Sequence, residues 1–265
     1  MTYHVEFPGF GISFDISPAA FTIGTFSVYW YGIIVATGCI LAITYCMNEC
    51  KRCEIDEDKV LNCIMGGLVC AIVGARLYYV VFRFDSFKGD LLSILNIHNG
   101  GLAIYGGLIG AVTGGMLIAK KQDMKLLSVM DIAVRGFLIG QGIGRWGNFV
   151  NQEAFGTQTD LPWRMVSENT GGVGVHPCFL YESLWCLLGF VLLHILSRKT
   201  KCFEGEMFYL YMVWYGFERM LVEGLRTDSL YLPFANIRVS QLISGVLFLT
   251  GITLLLIFSR KKKTE

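Results

Sequence analysis

Four arginines, Arg76, Arg135, Arg145 and Arg219, lie inside runs otherwise apolar enough to cross a lipid bilayer. An arginine at mid-membrane costs about 2.5–3.5 kcal/mol on insertion scales, so one retained there points by default to a site or to a partner carboxylate. Tyr215, Arg219, Glu223 and Arg226 recur at steps of four, four and three, which at 3.6 residues per turn makes one helical stripe. Arg219 and Glu223 form an i, i+4 pair on it. A buried ion pair that only locks helices together would explain part of this stripe; a functional site explains it better, because charges inside membranes are functional by default.

The segment Gly-Gln-Gly-Ile-Gly-Arg-Trp-Gly-Asn-Phe-Val-Asn-Gln-Glu, residues 140–153, mixes glycine with Arg145, Asn148, Asn151 and Glu153. Glycines let other groups approach the backbone, and the planar guanidinium fork fits a phosphate. Glycine packing alone needs none of the Arg, Asn or Glu side chains, so the segment reads as an anion site, and the anion most available in that setting is a lipid phosphate. The run 100–110, Gly-Gly-Leu-Ala-Ile-Tyr-Gly-Gly-Leu-Ile-Gly, taken alone is a helix-packing seam; Tyr105 is its one residue able to hydrogen-bond or transfer a proton. His4 and His194 read as structural. Nine cysteines are scattered, and the tight pair Cys50 and Cys53 has neither a second pair nor a neighbouring histidine to make a metal or redox centre.

The elements that must hold these groups are helices in lipid. The chain is 54% apolar and 16% charged, against about a quarter charged in soluble domains. The net charge of +1 gives no argument for nucleic acid. The first 23 residues carry no Lys or Arg, and the apolar run behind them is too long for a cleaved signal peptide. Hydropathy predicts an all-α, polytopic bundle of about seven spans, at roughly 24–47, 59–82, 101–119, 128–149, 179–197, 206–226 and 240–259, in one domain over 1–265. Thirteen basic residues, among them Lys51, Arg52, Lys59, Lys201 and Lys261–Lys263, fall on one side, against five on the other: Arg83, Lys88, Arg164, Arg226 and Arg238. The basic side stays in the cytoplasm, which puts the N-terminus outside and the C-terminus inside. Tyr31, Arg76, Tyr105, Arg145, Glu153, His176, Glu182 and Arg219 then share a depth near the outer leaflet, and Arg135 lies nearer the cytoplasm.

These segments together resemble the prolipoprotein diacylglyceryl transferase family of bacteria. The resemblance runs in order through Trp30-Tyr31-Gly32, Gly74-Ala75-Arg76-Leu77 with Tyr79, Gly100 to Gly110, and Gly144-Arg145-Trp146-Gly147-Asn148-Phe149-Val150-Asn151 with Glu153. It continues through His176-Pro177 with Tyr181-Glu182 and ends on Tyr215-Gly216, Arg219, Glu223 and Arg226. One block would be weak evidence; six in order are specific. The resemblance implies an enzyme of the bacterial cytoplasmic membrane with seven spans. It would transfer the diacylglyceryl group of phosphatidylglycerol to the lipobox cysteine thiol of a prolipoprotein, forming a thioether and releasing glycerol phosphate. Many members carry a histidine in the third block where this chain has Tyr105, and tyrosine, with an ordinary pKa near 10, is a poor base at neutral pH.

On this reading Arg145 holds the lipid phosphate with help from Arg219, Asn148 and Asn151 take the glycerol head group, and Glu223 steadies Arg219. Tyr105 orients substrate, and Tyr31, Arg76, His176, Glu182, Tyr215 and Arg226 support the site. The proton acceptor stays open among Glu153, His176 and bulk water. The partners are membrane lipid and a prolipoprotein signal peptide, with no nucleic acid. No cofactor or metal is implied, since no nucleotide motif or ligand cluster is present in the sequence. A transporter and a lipid-binding scaffold are the rival classes; the absence of a convincing internal repeat weighs against the first.

Overall fold

The computed structural model describes residues 2–87, 90–96, 100–199, 203–232 and 236–264, without the side chains of 86, 91 and 261–264. It is mostly helical. The expected helices are all found: α1 Trp30–Arg52, α2 Glu57–Phe82, α3 Ile104–Lys121, α4 Leu126–Val150, α5 Cys178–Lys199, α6 Glu206–Leu225 and α7 Val239–Thr264. Five of them, α1, α2, α4, α5 and α7, are long and apolar enough to cross a membrane. The other two fall short for readable reasons: α3 is the shortest of the α-helices bar none and glycine-rich, and α6 carries Glu206, Glu218, Arg219 and Glu223. Two residues of the charge tally, Lys88 and Lys201, lie outside the described residues.

The all-α expectation needs one addition. Five short strands are present, β1 Tyr3–Phe7, β2 Ile12–Ile16, β3 Ala19–Ile23, β4 Phe26–Tyr29 and β5 Val166–Ser167. β1 pairs antiparallel with β2 and with β5, and β3 pairs with β4. The first helix therefore starts at Trp30 rather than at 24, because the apolar residues 26–29 belong to a hairpin. His4 faces Asp15 across the β1–β2 ladder and bonds to it at 2.6 Å. Val5, fully buried, packs with Phe149, Met165, Val175 and Phe179 and ties this sheet to the ends of α4 and α5.

The chain forms two compact units, residues 1–46 with 130–265, and residues 47–129. In the second unit α2 and α3 meet along a seam of small residues. A Cβ placed on Gly74 would collide with the carbonyl of Gly106, and one on Gly110 with that of Cys70. Small residues at such spacing let helix backbones approach closely in lipid, so the glycines of the 100–110 run do serve packing.

In the first unit three contacts set the helix registers. A Cβ on Gly142 would lie 3.3 Å from the carbonyl of Ser183, whose hydroxyl donates to the Gly142 carbonyl at 2.7 Å. This joins α4 to α5. Trp185 and Trp214 stack at 4.3 Å, and each indole N–H donates to the other's carbonyl, at 3.1 and 3.0 Å. Gly189 leaves room for Trp214 and so completes the α5–α6 contact. Gly216 lies against the backbone of Ser244 and Phe248, which brings α7 onto α6.

Candidate active site

Those registers bring the last turns of α4, the first turn of α5 and the last turns of α6 to one end of the first unit. Arg145, Glu182 and Arg219 each lie roughly 6–9 Å along their helices from that end, at 1.5 Å per residue. Glu182, almost fully buried, is their common acceptor. Arg145 pairs with it through Nη2, Arg219 donates through Nη1 to both its oxygens at 3.1 Å, and Arg226 approaches at 3.5 Å. Arg219 also pairs with Glu223, the i, i+4 contact that the stripe predicts. Arg226 is held on its other side by Asp228, with two hydrogen bonds of 2.9 and 2.7 Å. Tyr215 lies within electrostatic reach of Arg145 and Arg219.

Three guanidinium groups and the carboxylates Glu182, Glu223 and Asp228 balance in formal charge, yet the arginines are not equivalent. The side chain of Arg145 is 20% exposed, against 13% for Arg219 and 12% for Arg226. Arg219 and Arg226 each have an acidic partner of their own. Among the described residues, Arg145 has only the carboxylate it shares. It is thus the arginine best placed to present donors to an incoming anion. A partly buried arginine cluster organised on one buried carboxylate is a preorganised acceptor for negative charge, in a setting where electrostatic interactions act strongly.

The 140–153 segment does not converge on this cluster as a whole. Asn148 bonds the exposed Glu153 at 2.9 Å. Glu153 and Asn151, with Tyr3, Tyr29 and Tyr31, line a hollow of about 510 Å³ between the N-terminal strands and the end of α4. The ring of Tyr31 covers Gly147, where a Cβ would lie 2.7 Å from it. His176 bonds the hydroxyl of Tyr181 at 3.2 Å, and Trp163 donates to that same hydroxyl at 2.7 Å. Burial pushes the His176 imidazole down from its ordinary value, which favours its neutral form.

Arg76 and Tyr105 belong to the second unit. Arg76 donates to the carbonyls of Ser93, Ile94, Gly100 and Gly101 at 2.7–2.9 Å. It fixes the glycines that lead into α3, whose second residue is Tyr105.

Three features of this end were not read from the sequence. The loop 151–177 is pinned to α6, with Thr157 N–H donating to the carbonyl of Leu225 at 2.8 Å and Gly156 forming a β-bridge with Arg226. That clamp sets the backbone of Arg226. Asp228, two residues beyond Arg226, completes the arginine's coordination. Glu218 is buried, and neither of its oxygens has a hydrogen-bond partner among the described residues. Its signal was an ionisable residue directly beside Arg219 in span six, masked by the stronger stripe.

A family model described as prolipoprotein diacylglyceryl transferase matches residues 18–257 of this chain. The phosphatidylglycerol–prolipoprotein diacylglyceryl transferase of Finegoldia magna is 45% identical over 235 residues, covering 89% of this chain and 93% of that protein. The protein of the same name in Streptococcus pneumoniae is 44% identical over 256 residues, covering 93% of this chain and 96% of its own. The Listeria welshimeri protein of that name is 38% identical over 250 residues, covering 91% of this chain and 89% of its own.

Proposed function

The chain belongs to the prolipoprotein diacylglyceryl transferase family, and we propose that it transfers the diacylglyceryl group of phosphatidylglycerol to the lipobox cysteine of prolipoproteins, the first step of bacterial lipoprotein maturation. The family match over residues 18–257 crosses both compact units, which supports reading residues 1–265 as one transferase domain. It works in the bacterial cytoplasmic membrane with seven spans, α3 and α6 joining the five more apolar helices. The basic loops and tail lie in the cytoplasm, the N-terminal strands and the arginine cluster on the outer side.

The nucleophile comes from the substrate, so none of the enzyme's own cysteines is required. The precursor's thiolate attacks the glyceryl carbon that bears the phosphate ester, the carbon–oxygen bond breaks, and glycerol phosphate leaves. Charge grows on the departing phosphate. Arg145 grips it, and Arg219 and Arg226, locked by Glu223 and Asp228, hold Glu182 so that it holds Arg145. Asn148, Asn151, Glu153 and Tyr31 surround the head-group glycerol.

The observation that carries this reading is the convergence of three arginines on one buried carboxylate, with Arg145 the most open of the three. The test is incubation of the purified protein with phosphatidylglycerol and a lipobox peptide. The expected product is a peptide heavier by one diacylglyceryl group, absent when the lipobox cysteine is serine. Lipid binding or flux without a covalent product would overturn the proposal.

A further inference from the structure

Glu218 is 4% exposed, and both of its carboxylate oxygens are buried without a hydrogen-bond partner among the described residues. A buried carboxylate with no hydrogen-bond donor is costly to hold ionised, so it gains by taking up a proton or a donor that the described residues do not supply. Its surroundings say what kind. Arg145 from α4, Glu182 and Cys186 from α5, Tyr211, Tyr215 and Arg219 from its own helix, and Arg226 all interact with it electrostatically. The three arginines already have Glu182, Glu223 and Asp228 as partners. Glu218 is therefore a fourth carboxylate beside a charge-balanced cluster, not a member of its ion pairs.

The transferase reading leaves the proton acceptor unassigned. Glu153 is exposed and bonded to Asn148, His176 is bonded to Tyr181, and Tyr105 is a poor base at neutral pH. Resting on the transferase reading above, we propose that Glu218 is the catalytic residue that receives the proton of the lipobox thiol. The S–H bond breaks and the proton passes to a Glu218 oxygen. The sulfur electron pair forms the C–S bond to the glyceryl carbon, and the C–O bond breaks with its pair on the phosphate oxygen. Glu218 then returns the proton to the departing phosphate, so glycerol phosphate leaves as a monoanion and the carboxylate is restored. Docking of the lipid's phosphate on Arg145 places a negative charge near Glu218, and repulsion between the two favours proton uptake when the substrate is in place.

The test compares two lipobox peptides, one with cysteine and one with selenocysteine, whose selenol is ionised at neutral pH and needs no base. In Glu218→Gln, transfer to the thiol peptide should fall by about 10²–10⁴-fold, the range of a lost general base. Transfer to the selenol peptide should stay near that of the unaltered enzyme. The selenol-to-thiol ratio within one preparation does not depend on how much of the variant is folded. An unchanged ratio with normal wild-type transfer would overturn the role of Glu218 alone. No thioether or selenoether product from the wild-type enzyme would overturn the transferase reading and this inference with it.

Discussion

Helix α4 carries two arginines, a buried one in its first half and a partly buried one near its end, and the two are treated differently by their surroundings. In the first half of the helix, Arg135 donates to the Asp131 carbonyl at 2.9 Å, to the Ser197 hydroxyl at 2.8 Å and to the Tyr45 hydroxyl at 3.1 Å. Tyr45 is in turn bonded to His194 at 2.8 Å. Both carboxylate oxygens of Asp131 accept backbone N–H groups at the start of α6, from Gly205 at 2.9 Å and Phe208 at 3.0 Å. Donors and acceptors there are matched and local, and they cap a helix that Gly205 opens in a left-handed conformation. Near the end of α4, Arg145 shares one carboxylate with two other arginines, and Glu218 close by has no partner at all among the described residues. The first arrangement is a finished structural joint. The second leaves a buried carboxylate unpartnered among the described residues, as the proposed site for an anion and a thiol proton requires. An arginine inside a membrane protein is thus not in itself a sign of chemistry; what separates the two cases is whether the hydrogen-bonding demand is met by the fold.

The sharpest way to break this contrast is at Arg145. Arg145→Lys keeps the positive charge and its attraction to Glu182 but loses the fork that grips two phosphate oxygens. Transfer to the lipobox peptide should fall by about 10²–10³-fold, with the thermal unfolding midpoint close to that of the parent. Near-normal transfer would take the phosphate role away from Arg145. The complementary change is Asp131→Asn, which turns an amide N–H₂ toward the N–H groups of α6. It should lower stability by about 1.5–3 kcal/mol, the worth of hydrogen bonds to a charged group. The rate per folded molecule should not change. A variant that unfolds normally but transfers slowly would show that the Asp131 end is not purely structural.

Much of this was legible in the sequence because lipid is a strict solvent. An apolar run of about 20 residues has few alternatives to a helix there, so the helix cores were predicted closely, α2 from Glu57 against an expected 59 and α5 from Cys178 against 179. The i, i+4 pairing of Arg219 with Glu223 followed from spacing alone. The strands did not show. Of β1 only Val5 is fully buried and β2 is largely exposed, so neither strand imposes a clear alternation. β5 has two residues and exists only because β1, some 160 positions earlier, pairs with it. The grouping of 140–153 as one site was too coarse for a related reason. Arg145 lies in the helix and turns to Glu182, whereas Asn151 and Glu153 lie past its end, where the chain leaves α4 and lines the hollow under the N-terminal strands. Helical spacing does not reach beyond a helix terminus.

The smallest expected effect tests whether the outermost member of the arginine cluster belongs with the reactive end or is a joint like Asp131. Asp228 is about half exposed and clamps Arg226, which itself reaches Glu182. Burial alone would push the Asp228 carboxyl up, but the hydrogen bonds and charge of Arg226 outweigh it and hold the group below its ordinary value of 3.8. A carboxyl held low in the folded protein binds fewer protons there than in the unfolded chain. Its contribution to stability is therefore fully present above the ordinary value and is lost as pH falls through the folded one. Asp228→Asn should lower the unfolding midpoint slightly near neutral pH, and the gap from the parent should close as the pH falls below about 4. A gap of constant size across that range would mean that Asp228 acts through shape and not through charge. Transfer at neutral pH should stay near the parent rate, since Arg226 keeps Glu182 as its second partner. A large loss of transfer in this variant would instead place Arg226 in direct contact with the reacting phosphate, and the reactive end would then extend past the end of α6.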